Sequence, residues 1–383
     1  MDKIKKILLV NVPTGKCNFK CPYCFITQVD GWKSDDEHFP INSSDVAKAF
    51  SMDRFGGGPC FMNLCSRGET LIYPQMVGIL RAILEQGHYV EVVTNGSIKK
   101  RFEEISKFPK ELLDRLSFKF SFHYTELKRL NLFDVFFENI ELMKKSGASF
   151  TVELTPVDEE EEYIEDIKKI CIEKLGALCH TTMARDDRVK SIPVLSKHTK
   201  QEYVDIWSTF DSGMLEFKNR VFQEKRKEFC YAGDWSLYIN LFTGGIQKCY
   251  CSPVIGNIYD FTKPIHYEAI GECPISHCYN AHALMTFGLL PEVETPTYSY
   301  IRNRKCEDGT EWLKPTVKHF FDSKLIESNL EYDEEKKEKI VKKSRKVMRK
   351  VRFMRRVVSP FNGVLNHISD EKKNLLKKVI GIK

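Results

Sequence analysis

The sequence lacks long apolar runs: none of its 383 residues belongs to a stretch approaching the ~20 apolar residues that a membrane-spanning helix needs. It also lacks an export signal. Lysines precede a short apolar run at residues 7–10, but that run is too short for a signal peptide and no cleavage site follows it. The run is typical of a first buried strand, and we expect a cytoplasmic protein.

The body of the protein lacks an excess of positive charge, although the whole chain carries a formal net charge of +6. Residues 336–356 hold twelve Lys or Arg against one Glu, a local charge of +11, so the remainder carries about −5. Proteins that bind nucleic acid present a basic footprint on the binding domain. We therefore expect no nucleic-acid partner.

Cysteine, in contrast, is abundant, with thirteen residues. In a chain without an export signal, clustered cysteines indicate metal binding rather than disulfides. The clustered cysteines are Cys17, Cys21 and Cys24, then Cys230, Cys249 and Cys251, and finally Cys273 and Cys278.

Short β-rich runs alternate with amphipathic helical patterns over the first 212 residues. The strand candidates are residues 6–12, 60–65, 89–94, 117–123, 149–155 and 178–184, and the clearest helical patterns are residues 74–86, 127–146 and 158–175. Parallel neighbours need helical crossovers, so six such repeats predict an α/β fold with a partial (βα)6 barrel that resembles a TIM barrel. In such barrels the reactive groups lie at the carboxyl ends of the strands.

The pattern changes after residue 212. Residues 235–241 and 246–250 read as a β-hairpin with cysteines on both sides, and a charged amphipathic helical pattern begins at residue 331. We therefore predict a core at residues 1–212, a small cysteine-containing domain at 213–330 and a basic helical tail at 331–383.

The first cysteine cluster supplies three thiolates from one loop, at Cys17, Cys21 and Cys24. A [4Fe–4S] cubane held by three cysteines keeps one iron open for a small-molecule ligand. Zinc usually takes four ligands from paired knuckles, and no His or fourth Cys stands near the triplet. A cluster is the favoured interpretation, with zinc and core thiols as the alternatives.

The segment CNFKCPYC, with Tyr23 before the last cysteine, resembles the signature loop of the radical S-adenosylmethionine (SAM) superfamily. The resemblance implies that the open iron chelates SAM. Reductive cleavage of SAM then gives a 5′-deoxyadenosyl radical that abstracts hydrogen from a substrate. A reduced flavodoxin or ferredoxin is the expected electron donor.

Three further segments resemble this family at successive strand ends. Gly68 and Glu69 stand where the family carries Gly-Gly-Glu, whose backbone accepts the methionyl amine of SAM, although Arg67 replaces the first glycine. Asn95 and Ser121 are in register with positions that contact the ribose or methionyl part. The resemblance covers roughly residues 5–212.

The second cysteine set resembles the opening of the SPASM and twitch domains, which carry auxiliary clusters in many radical SAM enzymes. The resemblance implies a second [4Fe–4S] cluster of the twitch type, held by Cys230, Cys249, Cys273 and Cys278, with Cys251 as an alternative ligand. Zinc is the alternative metal, because four thiolates from two knuckles would suit it.

The remaining thiols and polar residues of the strands carry weaker expectations. The core interpretation is favoured for Cys60, Cys65, Cys171 and Cys179, of which Cys65 stands nearest the reactive rim. His123, Tyr124 and Glu153 are candidates to face the cavity, with a structural role for each at least as well supported. No residue is assigned as a general acid or base.

Two classes of function stay open. The first is a radical SAM enzyme, with oxidation of a peptide or sugar-like molecule ahead of methyl transfer or rearrangement. The second is a non-enzymatic iron–sulfur or zinc module that senses redox state or scaffolds partners. The first strand begins near the N-terminus, so we expect no separate leader-peptide-binding domain. The basic tail is a candidate for contact with an acidic partner or an anionic membrane surface, with a solvated or self-docked helix as the alternative interpretation.

Overall fold

A computed structural model describes residues 2–32, 40–189, 191–250, 252–275 and 277–358 of the chain. The chain divides into two compact units, Met1–Glu331 and Tyr332–Lys383. The first unit contains all the strands described below, and the second contains one long helix.

In the described residues of the first unit, nine strands form one sheet in the order β6-β5-β4-β3-β2-β1-β7-β8-β9. Neighbours from β6 through β1 to β7 are parallel, and β7, β8 and β9 are antiparallel. The strands are β1 Ile7–Val12, β2 Phe61–Ser66, β3 Tyr89–Thr94, β4 Leu116–Phe122, β5 Ser149–Leu154, β6 His180–Thr181, β7 Ser236–Asn240, β8 Gly245–Gln247 and β9 Val254–Asn257.

Helices connect the parallel strands and cover the outer side of the sheet. They are α1 Phe25–Gln28, α2 Ser43–Ala49, α3 Gln75–Glu85, α4 Lys99–Ile105, α5 Lys110–Leu113, α6 Tyr124–Leu130, α7 Phe133–Ser146, α8 Ile164–Leu175, α9 Lys200–Trp207, α10 Gly213–Val221, α11 Ala281–Leu284 and α12 Pro315–Asp322, with α13 Glu334–Val358 in the second unit. Short 3-10 helices occur at Met52–Phe55, Asp158–Tyr163, Ser208–Phe210 and Leu325–Glu327.

The predicted α/β architecture is confirmed: six parallel strands follow one another in chain order, as a partial barrel requires. The helix predicted over residues 127–146 is two helices, α6 and α7, because Asn131 adopts the left-handed conformation (φ 55°) and ends α6. Asparagine tolerates this conformation better than other non-glycine residues. The sixth strand is shorter than predicted, with two residues in place of seven.

The predicted hairpin is β7 and β8, and its turn requires Gly244. Gly244 has φ +74°, and a Cβ there would lie 2.2 Å from Oδ1 of Asn257. The sequence did not predict that β7 pairs in parallel with β1, from Ile7↔Ser236 to Asn11↔Asn240. The hairpin therefore extends the sheet of the barrel.

The two faces of β4 have opposite character. Phe118, Phe120 and Phe122 face the helices and pack against Phe102 of α4 and Phe136 of α7. The alternate positions on the other face are polar and are occupied by Ser117, Lys119 and Ser121. Strands of a parallel sheet buried on both faces are usually apolar throughout. The polar inner face of β4 therefore marks the interior of the barrel as a candidate site.

A segment of the chain after α11 closes the amino-terminal end of the barrel. Phe61, the first residue of β2, contacts the rings of Phe287, Tyr298 and Phe321. The ring of Tyr89, the first residue of β3, stacks on Phe320 with centroids 3.7 Å apart. The open end of the barrel is therefore the carboxyl end of its strands.

The second unit contains the predicted basic helix as α13, Glu334–Val358, whereas residues 359–383 of the predicted tail lie outside the described residues. Three of its lysines make ion pairs with glutamates one turn away. No helix in the described part of the chain is long and apolar enough to cross a membrane.

The aromatic layer between β4 and α7 yields a stability prediction. Phe122 is fully buried among Phe133, Phe136 and Phe137, so Phe122→Ala should cost about 3–5 kcal/mol of unfolding free energy through lost burial and a cavity. Chemical unfolding followed by circular dichroism measures the change. Leu330→Ala, at a side chain that is 91% exposed, is the control and should change the free energy by no more than ~0.5 kcal/mol. Equal effects of the two substitutions would contradict the packing described here.

Candidate active site at the cysteine loop

The loop that carries the cysteine triplet follows β1 and is held by the end of β2. The Gly68 amide donates to the Thr14 carbonyl (3.0 Å), and the Glu69 amide donates to the Lys16 carbonyl (2.9 Å). A Cβ at Gly68 would lie 1.9 Å from the Lys16 carbonyl oxygen. Only glycine permits this approach, so Gly68 is required by its contact with the cysteine loop.

The Glu69 side chain joins the end of β2 to the end of β3. Its buried carboxylate accepts hydrogen bonds from the Leu71 amide (2.9 Å), the Thr94 hydroxyl (2.7 Å) and the Asn95 amide (2.7 Å). Burial raises the pKa of Glu69, and these three hydrogen bonds oppose the increase. Within the described residues, the carboxylate is thus engaged by protein groups.

Asn95 contacts the cysteine loop directly. Its Nδ2 donates to Oδ1 of Asn18 (2.8 Å) and lies 3.7 Å from Sγ of Cys17. Its Oδ1 accepts from the amide and the hydroxyl of Ser97. Asn95 therefore fixes the position of the first cysteine.

The end of β4 is the third point of attachment of the loop. The hydroxyl of Tyr23 lies 2.8 Å from Nδ1 of His123, and the ring of Phe19 meets the imidazole edge-on at 6.0 Å. Burial, followed by the charge of Lys119, lowers the pKa of His123 to about 4. A neutral imidazole accepts at one nitrogen, so the Tyr23 hydroxyl can serve as the donor.

Of the residues expected to contact SAM, Ser121 is the one placed within a strand. It is half-buried on the inner face of β4, in register with Glu153 of β5. Tyr124, considered for the cavity, instead packs on the helix side against Phe133 and Tyr163.

The three thiols of the loop have the chemistry of metal ligands. Burial raises the pKa of Cys17 to about 11 and also raises the pKa values of Cys21 and Cys24. Such thiols keep their protons at neutral pH unless a metal displaces them. The Phe19 amide donates to Sγ of Cys17 (3.4 Å), a contact that also stabilises a thiolate.

A buried ion network crosses the interior of the barrel below the loop. Nη1 of Arg302 donates to Glu153 (2.6 Å), Nζ of Lys119 lies 2.8 Å from the same carboxylate, and Nε of Arg302 lies 3.9 Å from Glu91. Burial alone would raise the pKa of Glu153, but Lys119 and Arg302 hold it well below its usual range. Sequence reasoning considered only Glu153 here. Glu91 and Lys119 are charged residues at inward positions of buried strands, and this pattern in the sequence could have indicated that they belong to the network.

The second cysteine set lies around the hairpin. Cys230 forms a β-bridge with Gly271, two residues before Cys273. Beyond β8, the Cys249 amide donates to the Ser252 hydroxyl (3.1 Å). Cys251 lies outside the described residues.

The end of the hairpin reaches the segment that carries Cys278. The hydroxyl of Tyr250, next to Cys249, lies 3.5 Å from Nδ2 of Asn280, and the Tyr250 ring meets that of Tyr279 at 6.5 Å. Backbone pairing thus brings Cys230 near the segment of Cys273, and side-chain contacts bring the segment of Cys249 near that of Cys278.

The other four thiols considered in the sequence analysis differ in burial. Cys60, Cys171 and Cys179 are buried in the hydrophobic core. Cys65 is half-buried at the end of β2, and burial raises its pKa.

The contact between Gly68 and Lys16 yields a second prediction. Gly68→Ala should displace the cysteine loop, and we expect most of the iron bound after anaerobic reconstitution to be lost. Gly78→Ala in α3 is the matched control, because a Cβ there meets open space, and it should keep its iron and gain about 0.5–1 kcal/mol of stability. Full iron content in folded Gly68→Ala protein would show that the contact does not hold the loop.

Comparison with known proteins gives one family match and several similar solved structures. Residues 11–171 match the family described as the Radical SAM superfamily. No curated protein sequence matches the chain. Among solved structures, SuiB of Streptococcus suis is 14% identical over 67% of this chain, with a TM-score of 0.45. The chain spans 64% of the length of SuiB.

Two further structures are similar at the same level. The enzyme anSMEcpe with bound AdoMet is 15% identical over 67% of this chain and 79% of its own, with a TM-score of 0.42. BtrN in complex with AdoMet and 2-DOIA is 14% identical over 67% of this chain and 80% of its own, with a TM-score of 0.37. From the family match and the loop at the carboxyl ends of the strands, we conclude that the chain contains a radical SAM domain at residues 11–171.

Proposed function

We propose that the chain is a radical SAM enzyme in which Cys17, Cys21 and Cys24 hold a [4Fe–4S] cluster at the open end of the barrel. The observation that carries the proposal is the bracing of the cysteine loop by Glu69 and Asn95. These contacts fix three metal-binding thiols where parallel barrels carry their reactive groups.

When bound, the cluster and SAM supply a 5′-deoxyadenosyl radical able to abstract hydrogen from an unactivated carbon. The chain contributes position and shielding. Gly68 and Glu69 hold the loop through its backbone, and Asn95 orients Cys17. Glu69 thereby acts as a positioning residue, since its carboxylate is occupied within the protein, while Ser121 on the inner face is free to face SAM.

We further propose that the hairpin and the segment after it, within residues 213–330, form a twitch-like domain with an auxiliary [4Fe–4S] cluster. Its ligands would be Cys230, Cys249, Cys273 and Cys278. The bridge between Cys230 and Gly271 and the contact between Tyr250 and Asn280 support this grouping.

The reaction we propose is the oxidative modification of a peptide or sugar-like substrate bound inside the barrel. The polar inner face supports it, because the half-buried Ser121 offers a hydroxyl that a purely apolar substrate would leave without a hydrogen-bond partner. An auxiliary cluster beside this face could accept the electron that an oxidation releases.

A cysteine comparison tests the two proposed clusters separately. Reconstituted protein should bind about eight irons, and reduced protein should slowly convert SAM to 5′-deoxyadenosine and methionine. Cys21→Ala should abolish this conversion, because the two remaining thiolates cannot hold the cluster. Cys249→Ala should keep it, since the auxiliary cluster is not where SAM is cleaved. Iron analysis and chromatography of the products measure both effects.

Several results would contradict the assignment. SAM cleavage that survives in Cys21→Ala would remove the catalytic role of the triplet. Stoichiometric zinc, with no iron, in protein purified without oxygen would contradict the assignment of both iron–sulfur clusters. Cys249→Ala protein could also lose SAM cleavage while the spectrum of the first cluster stays intact. That result would show that SAM cleavage requires the auxiliary cluster, contrary to the proposal.

We also propose that the basic helix α13 receives an acidic electron donor of the flavodoxin or ferredoxin type. The support is its charge of +11 over residues 336–356. Complementary charge accelerates encounter and is screened by salt.

Truncation after Glu331, at the boundary between the two compact units, tests the role of the helix. It should slow reduction by such a donor about tenfold at low salt and spare dithionite-driven turnover, with the difference shrinking at high salt. An equal decrease in the donor-driven and the dithionite-driven rates would show that the helix has a structural role and does not bind the donor. Co-sedimentation of the full chain, but not the truncated one, with anionic vesicles would favour a membrane surface instead.

A further inference from the structure

The side chain of Gln28 joins the cysteine loop to the segment that follows β6. Gln28 is the last residue of α1, one helical turn after Cys24. Its Nε2 donates to the Tyr23 carbonyl (2.7 Å) and to the Arg185 carbonyl (2.9 Å), and its Oε1 accepts from the Asp187 amide (2.8 Å). Both donor hydrogens of the side-chain amide are therefore used, together with its oxygen.

The chemistry of these partners fixes both the orientation and the length of the side chain at residue 28. A backbone N–H can only donate and a carbonyl can only accept, so a flipped amide would lose all three hydrogen bonds. Glutamate would place a carboxylate oxygen against two carbonyl oxygens. Asparagine is shorter by one C–C bond of about 1.5 Å. The contacts are therefore specific for glutamine.

The segment after β6 is itself held in place from the side of β5 and α9. Arg185 forms an antiparallel bridge with Val194. The Ala184 amide donates to the hydroxyl of the fully buried Tyr203 (3.0 Å), which in turn donates to the Pro156 carbonyl (2.9 Å). Gln28 thus joins the cysteine loop to backbone that has its own attachments to the barrel.

The contact spans the strands of the barrel. Four strands separate β1 from β6 in the order of the sheet, yet Gln28 joins the loop after β1 to the segment after β6. The attachments of the loop described above, through Glu69, Asn95 and His123, lie at the ends of the neighbouring strands β2, β3 and β4. Gln28 adds an attachment at the opposite end of the parallel strands, so the loop is held from two sides.

We propose that Gln28 is a positioning residue of the SAM site, which fixes the backbone between Cys21 and Cys24 and couples it to the β6 side of the barrel. The proposal rests on the proposed function, because it takes the cysteine loop as the holder of the cluster. The Tyr23 carbonyl lies between two of the proposed ligands, so a displacement of residues 185–187 would be transmitted to them. Such coupling is reciprocal, and SAM bound at the loop should therefore stabilise the segment after β6.

Hydrogen exchange in the full-length reconstituted protein measures this link directly. The probe is the Asp187 amide, within a peptide of residues 183–189, because this amide donates to Gln28. Gln28→Met keeps an unbranched side chain and removes all three hydrogen bonds, so it should speed exchange in the peptide about tenfold. Gln28→Asn should speed exchange less, and it replaces Gln28→Met in every comparison if that variant does not fold.

The matched control is Gln201→Met. The amide of Gln201 is exposed and donates to Asp205 in the same helix (2.7 Å), so its loss should leave exchange at residues 183–189 unchanged.

SAM is the second probe. Added to the reconstituted wild-type protein, SAM should slow exchange at residues 183–189 about threefold, and it should have no effect on this peptide in Gln28→Met. The variant should also cleave SAM about tenfold more slowly per bound iron. The rate per bound iron separates the two possible roles of Gln28. A residue that only supports the fold changes the occupancy of the cluster and leaves the rate at each bound cluster unchanged.

Unchanged exchange at residues 183–189 in Gln28→Met would overturn the proposal. Faster exchange with an unchanged rate of SAM cleavage per bound iron would also overturn it, because Gln28 would then hold the segment without positioning the loop. Wild-type protein that cleaves no SAM, with faster exchange still seen in the variant, would refute the proposed function and leave the link to β6 intact. An active wild-type enzyme whose variant shows neither effect would refute the role of Gln28 alone.

Discussion

The buried carboxylate of Glu69 is the constraint on which the geometry of the cysteine loop depends. An ionised carboxylate out of water costs several kcal/mol unless hydrogen bonds compensate, and here three donors from Leu71, Thr94 and Asn95 converge on it. Because the Asn95 amide is one of them, the backbone after β3 is fixed relative to the end of β2. The side chain of Asn95 then reaches Sγ of Cys17, so one acidic residue helps to set the position of the first thiol of the loop.

The interior of the barrel is organised by a second set of charges, which explains why it does not fill with apolar side chains. Glu91 and Glu153 face Lys119 and Arg302 across the inner face. Buried ion pairs are often no more stabilising than apolar residues of the same size. Their presence in four inward positions therefore favours a role in shaping a polar cavity over a role in stability.

Sequence reasoning predicted the features that are encoded locally. The alternation of strand and helix gave six parallel strands in order, and residue spacing placed three cysteines on one loop. Resemblance singled out Gly68, Glu69 and Asn95 as residues that contact SAM, which stays a prediction, whereas the contacts of these residues with Lys16 and Cys17 required the structure. The assignment of SAM and auxiliary-cluster ligands remains a prediction.

What the sequence could not predict depends on long-range pairing. β7 joins β1 across more than two hundred residues, and the choice of partner strand has no local signature. Arg302 meets Glu153 from a segment outside the repeating core, so its partner could not be identified from spacing.

The closing segment also determines how molecules reach the interior. Its aromatic residues cover Phe61 and Tyr89 at the amino-terminal ends of β2 and β3, and its Arg302 enters the barrel from that side. The carboxyl end, which carries the loop of Cys17, Cys21 and Cys24, is therefore the end at which we expect a ligand to enter.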